Sequence, residues 1–123
     1  MNADKLKSRT KDFALRVIKL VSELPKTVEG RAIASQIVRS GTSVAANYRA
    51  TCRARSRTEF VAKIGIVLEE ADETLLWLEL IVAAKLLPQR RVEWLLKEAD
   101  ELVAIMAASR KSALARANLK SEI

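Results

Sequence analysis

The stretch EFVAKIGIVLEEADETLLWLELIVAAK, residues Glu59–Lys85, decides the fold. Phe60, Ile64, Val67, Ala71, Leu75, Leu78 and Val82 recur in steps of four and three. That spacing is one face of an α-helix, sustained like the seam of a coiled coil. No proline interrupts it, and its one internal glycine is tolerable in a helix this long. At 1.5 Å rise per residue the helix should reach about 40 Å.

Working outward, the pattern repeats on both sides. Upstream, a helix over residues 30–51 follows from Ile33, Ile37, Val44 and Tyr48, with Thr27 as its N-cap. Ala34, Gly41 and Ala45 are small enough to let a neighbouring helix come close. Before it, Phe13, Val17, Leu20 and Leu24 mark a helix over residues 8–24, stopped by Pro25. Downstream, Pro88 stands where the first position of a helix over residues 88–115 belongs. Val92, Leu95, Leu96, Ala99, Leu102, Val103 and Met106 carry its seam, and the terminal ANLKSEI is expected to fray. Cys52–Thr58 connects the second and third helices, with Ser56 or Thr58 as a cap.

Four amphipathic helices joined by short connections must run antiparallel to their neighbours. The expected fold is all-α, a single-domain up-down-up-down four-helix bundle spanning residues 1–123. Phe13, Ile37, Ile64, Leu75, Leu95 and Leu102 are expected in its core. The length of 123 residues suits one domain, and a 50% hydrophobic content supplies its core.

Several chemistries lack their residues. The chain has no histidine, which removes the commonest general base and the usual metal ligand. Glu69, Glu70, Asp72, Glu73 and Glu79 are placed on one helix, as acids are in di-iron bundles. Those sites pair Glu with His at i+3, so here the acids read as a solvated or interfacial face. Cys52 is a lone thiol beside Arg49, Arg53 and Arg55, without a base to activate it. There is no glycine-rich phosphate loop. The expectation is a protein that is not an enzyme, with no cofactor and no metal.

The single cysteine excludes an intrachain disulfide and suits a reducing compartment. The N-terminus carries no apolar leader, and every apolar run is too short to span a bilayer. A cytoplasmic, soluble protein without a membrane partner is expected.

Three surface patterns remain. Gln36, Ser40, Ser43 and Asn47 form a polar line along the second helix. It reads as a hydrogen-bonded line fixing helix register, ahead of a ligand surface. Ile66, Trp77, Leu80 and Ala84 lie well around from the Phe60 seam. A second apolar stripe marks a partner surface, with Ile66, Trp77 and Leu80 as candidate oligomer contacts.

The third pattern is charge. The net charge is +7, and residues 30–58 contain no acid while Arg31, Arg39, Arg49, Arg53, Arg55 and Arg57 accumulate. In an up-down bundle three segments share one end. They carry Lys5, Lys7, Arg9 and Lys11; then Arg49, Arg53, Arg55 and Arg57; then Arg110, Lys111, Arg116 and Lys120. Lys7, Arg9, Lys11, Arg49, Arg53, Arg55, Arg57, Arg110 and Lys111 are the candidate nucleic-acid contacts. RNA or DNA would be held there by its phosphates, with little sequence preference. Tyr48 is the nearest aromatic, so stacking should be minor. Cations at helix C-termini also complement the macrodipole, which accounts for Arg49 and Arg110 but not for the crowded CRARSR connection.

QIVRSGTSVAANYRA, Gln36–Ala50, resembles the signature of the four helix bundle protein family. That family was first noticed as reading frames in intervening sequences of bacterial large-subunit ribosomal RNA genes. Glu59–Leu80 is similar to its third helix, and with Leu24-Pro25 the likeness spans roughly residues 10–108. Where many members read Asn-Ile-Ala-Glu-Gly, this chain has Asn47, Tyr48, Arg49, Ala50 and Thr51, so no role of that glutamate transfers. The resemblance implies a homopentamer, and a loose link to nucleic acid. Accessory proteins of diversity-generating retroelements are distant relatives of this kind: basic pentameric barrels that bind nucleic acid. The functional expectation is a non-catalytic oligomer associating with nucleic acid through its basic end. The alternative is a structural or protein-interaction oligomer with no nucleic-acid role.

Overall fold

The computed structural model describes the backbone of residues 1–122 and the side chains of residues 1–116. Four helices follow one another: α1 (Ala3–Val21), α2 (Val28–Cys52), α3 (Arg57–Ala83) and α4 (Gln89–Glu122). No strand occurs among the described residues. α2 packs on α1 and α3, α3 packs on α4, and α4 closes on α1 through a slighter contact. The backbones of the diagonal pairs α1–α3 and α2–α4 stay apart among the described residues, no two of their Cα atoms coming within 8 Å. This is the up-down-up-down bundle that the helix lengths and short connections require.

Local signals set the helix ends. α1 starts five residues before the expected Ser8, because Asn2 Oδ1 accepts from the Lys5 N–H at 2.9 Å. Thr27 caps α2 by accepting from the Gly30 N–H, and Ser56 caps α3 by accepting from the Glu59 N–H. A Cβ on Gly30 would stand 2.1 Å from the Pro25 carbonyl oxygen, so only glycine fits that turn. α3 ends at Ala83, two residues short of expectation. Lys85 there takes a left-handed φ of 58°, while the Lys85 and Leu86 N–H groups donate to Val82 and Ile81. That is a Schellman stop formed without its usual glycine. Pro88 precedes α4 and leaves its carbonyl to accept from the Arg91 N–H. α4 runs on to Glu122, past the expected end at 115 and through the segment expected to fray, while the side chain of Lys120 lies outside the described residues.

Phe13, Val17, Ile37, Val44, Ile64, Val67, Leu78, Ile81, Val92, Leu102 and Met106 form the buried core. Each large apolar side chain fully buried there contributes roughly 1.5–3 kcal/mol against exposure. Gly41 sits where α1 comes closest, since a Cβ on it would meet the Val17 side chain at 2.9 Å.

The α3 seam keeps Ile64, Val67, Ala71 and Leu78 of the expected one but takes Thr74 and Ile81 in place of Leu75 and Val82. Its buried residues are Ile64, Val67, Ala71, Thr74, Leu78 and Ile81. Leu75 and Val82 are half-buried neighbours of the core, and so is Phe60. The face is rotated towards a position held by a hydroxyl, which hydrophobic spacing passes over. Thr74 is tolerated because its hydroxyl donates to the Glu70 carbonyl at 2.7 Å and lies 2.8 Å from Ser40 Oγ.

α1 and α4 are bridged by long side chains. Arg9 Nε and Nη2 donate to the two oxygens of Glu98 at 2.7 Å each, and Nη2 also reaches Glu101. Arg91 pairs with Glu23, and the Arg16 guanidinium lies 3.9 Å from the centre of the Trp94 ring. No described helix is long and apolar enough to cross a membrane.

Candidate nucleic-acid interface

One end of the bundle collects the first turns of α1, the last turns of α2, the Arg53–Ser56 connection and the start of α3. The Asn2 cap places Lys7 and Lys11 on rigid helix, one turn apart on one side of α1. Arg49 and Arg53 occupy the same four-residue spacing on α2, where Arg53 is the C-cap. The packing of α1 on α2 joins the two pairs. Lys7, Arg49 and Arg53 line one depression of about 270 Å³. Lys11 and Arg49 share the next, of about 300 Å³, with Thr42, Ala45 and Ala46.

Among the described residues, Lys7, Lys11, Arg49, Arg53, Arg55 and Arg57 form no ion pair. Cations placed together and left unpaired raise the positive potential of this end. Arg55 is exposed in the connection, and its backbone N–H donates to Glu59 Oε2 at 3.2 Å, which tightens the turn. Arg57 is half-buried at the start of α3.

Three sequence candidates fall elsewhere. Arg9 faces α4, and its guanidinium is taken up by Glu98 and Glu101. The hydrogen bond to Glu98, above all, raises its pKa further above the usual arginine value, with partial burial working against it. Arg9 therefore belongs to the α1–α4 bridge. Arg110 is half-buried over Gly65, its Nε 3.3 Å from where a Cβ would stand, and Lys111 is exposed nearby on α4. Neither lines the depressions between α1 and α2. Arg39 on α2 is likewise spent on Glu70 and Glu73.

The polar line of α2 divides. Ser40 is buried against Thr74, and Asn47 Nδ2 donates to Ser43 at both its carbonyl and Oγ. Gln36 is exposed and stands apart from this network. On α3 the outward apolar residues are Ile66, Leu76 and Leu80. Trp77, grouped with Ile66 and Leu80 from sequence, is half-buried against the core, with its Nε1–H donating to Glu73 at 3.3 Å. Leu76, 48% exposed, is an outward residue that helical spacing alone did not single out. No group of three or more His, Cys, Asp or Glu among the described residues could hold a metal ion.

The fold and its polarised charge define an all-α bundle protein with a cationic end. The chain belongs to the 23S rRNA-intervening sequence protein family, whose profile matches residues 5–108. It is also similar to a protein of unknown function from the S23 ribosomal protein family of Bacteroides thetaiotaomicron, known from a crystal structure. The two are 32% identical with a TM-score of 0.82, over 90% of this chain and 99% of that one. No curated protein sequence matches the chain.

Proposed function

We propose that this protein is a non-catalytic, oligomeric bundle of the cytoplasm that holds nucleic acid by its phosphate backbone. The carrying observation is the convergence of Lys7, Arg49 and Arg53 on one depression with no acid among them. Lys11, Arg55 and Arg57 extend the surface. Such contacts release condensed counterions, so log affinity falls with log salt by about 0.9 per neutralised phosphate of a duplex. Titration of RNA and DNA fragments across salt concentrations tests this. If neither is retained at ~50 mM salt, a protein-interaction role replaces the nucleic-acid one.

Exposed apolar residues support the oligomer. Ile66, Leu76 and Leu80 stand on the outside of α3, and Leu15 and Ile18 on the outside of α1. α1 and α3 are diagonal in the bundle, so these faces point away from each other. Two different apolar patches on opposite sides suit head-to-tail assembly, which closes into a ring. The number five rests on the family resemblance alone. Light scattering that shows a monomer at micromolar concentration would refute the assembly.

A further inference from the structure

A second hollow opens beside the cations. It measures about 420 Å³, within the range of pockets that hold small ligands, and is open to solvent. Tyr48, Cys52 and Phe60 give it an aromatic and apolar wall, and Arg57 and Arg116 add charge. Tyr48 belongs to α2, Phe60 to α3 and Arg116 to α4, so only the assembled bundle makes this hollow.

The hollow adjoins the cation depression along the same two helices. On α1, Ala3 lines the hollow and Lys7, one turn later, lines the depression. On α2, Tyr48 and Cys52 line the hollow, and their successors Arg49 and Arg53 line the depression. A ligand with a flat apolar body and an anionic tail matches both at once. A base paired within a duplex cannot present its faces to such a wall, whereas an unpaired one can.

Two hydroxyls of the wall are already engaged. Thr51 Oγ1 donates to the Asn47 carbonyl, and Ser56 Oγ accepts from the Glu59 N–H. Burial, followed by the contact with Cys52, pushes the Tyr48 phenol up. The wall thus offers the half-buried Phe60 ring as its stacking surface, with Tyr48 closing the floor and the Arg57 and Arg116 guanidinium groups at hand for phosphate or base edge.

We infer that this hollow captures an unpaired nucleobase from a strand whose phosphates lie on Lys7, Arg49 and Arg53. The inference rests on the nucleic-acid reading above and adds to it a preference for bulged or single-stranded sites.

The test compares two RNA duplexes of identical phosphate count. One carries a single bulged adenosine, and the other an abasic nucleotide at that bulge. Wild-type protein should bind the first about tenfold more tightly, the worth of one stacked base. Phe60→Ala removes one wall, and Ala54→Leu fills part of the hollow from the connection without adding a stacking face. Each should erase the difference and leave binding of the abasic duplex unchanged. Equal retention of both duplexes by wild type overturns base capture and leaves phosphate binding standing. Retention of neither at ~50 mM salt overturns the nucleic-acid reading itself. Adenosine monophosphate binding as tightly as the bulged duplex would assign the hollow to free nucleotides and overturn capture from a strand.

Discussion

Thr74 and Ser40 meet hydroxyl to hydroxyl at 2.8 Å where α2 packs on α3, and both side chains are fully buried. This pair sits where an apolar seam would place a leucine. It satisfies each hydroxyl inside the core and fixes the rotation of α3 against α2. Thr74→Val keeps the shape and strands the Ser40 hydroxyl, whose other partner is the Ile37 carbonyl at a long 3.4 Å. The expected destabilisation is about 1–3 kcal/mol in urea unfolding. Combining Thr74→Val with Ser40→Ala should cost less than the sum of the single changes.

The rotation of α3 separates two leucines that lie three residues apart. Leu78 is fully buried and Leu75 half-buried. Leu78→Ala should cost about 2–5 kcal/mol, and Leu75→Ala clearly less. Equal costs in paired denaturation curves would restore the seam expected from hydrophobic spacing.

Arg9 holds the α1–α4 bridge. Glu98 is only 8% exposed, so Arg9→Met leaves a carboxylate with little access to water. The expected cost is roughly 1–3 kcal/mol, with no change in the salt slope of nucleic-acid binding. The raised Arg9 pKa adds stability that is complete below the ordinary arginine value and lost only as pH rises through the folded one. Its contribution should therefore stay constant across neutral and mildly alkaline pH in thermal melts.

Lys7, Arg49 and Arg53 should behave in the opposite way. Changing all three to Ser should leave helix content and assembly intact. Binding should weaken on every sequence tested, with the salt slope falling by about 0.9 for each phosphate no longer neutralised. Filter binding over a range of salt concentrations measures both.

Lys85 adopts a left-handed conformation that costs a residue with a Cβ roughly 1 kcal/mol or more. Lys85→Gly removes that cost and adds entropy to the unfolded chain. A net stabilisation of about 0.5 kcal/mol is expected, read as a higher urea midpoint. A lower midpoint would mean that the Lys85 side chain contributes more than its backbone costs.

The acid-free run of residues 30–58 shows where arginines accumulate along the chain, but not which of them meet an acid in the fold. Arg49 and Arg53 differ from Arg9 and Arg39 only in what faces them. Arg9 meets Glu98 across a separation of 89 residues, and Arg39 meets Glu70 and Glu73 from the next helix. Charge composition carries no record of such pairings. The hollow was equally hidden, because Tyr48, Phe60 and Arg116 come from three helices and look ordinary apart.

By itself the sequence determined the four helices, their order and their antiparallel sense. Periodicity, caps and stops act within a few residues, and short connections leave little choice of direction. Family membership was legible for the same reason, since Gln36–Ala50 and Glu59–Leu80 are contiguous stretches. Hydrophobic spacing found Ile64, Val67, Ala71 and Leu78 on the inner face of α3, and tertiary structure decided the remaining rotation that puts Thr74 and Ile81 inward in place of Leu75 and Val82. That helix carries Leu68, Leu75, Leu76, Leu78, Leu80 and Ile81 around much of its circumference, so spacing cannot fix the rotation to the last residue. Only the neighbouring helices, through the Thr74–Ser40 pair and the packing of α3 on α4, select the rotation. The same rotations and staggers decide which arginines find an acid and which do not, because both depend on distances between helices.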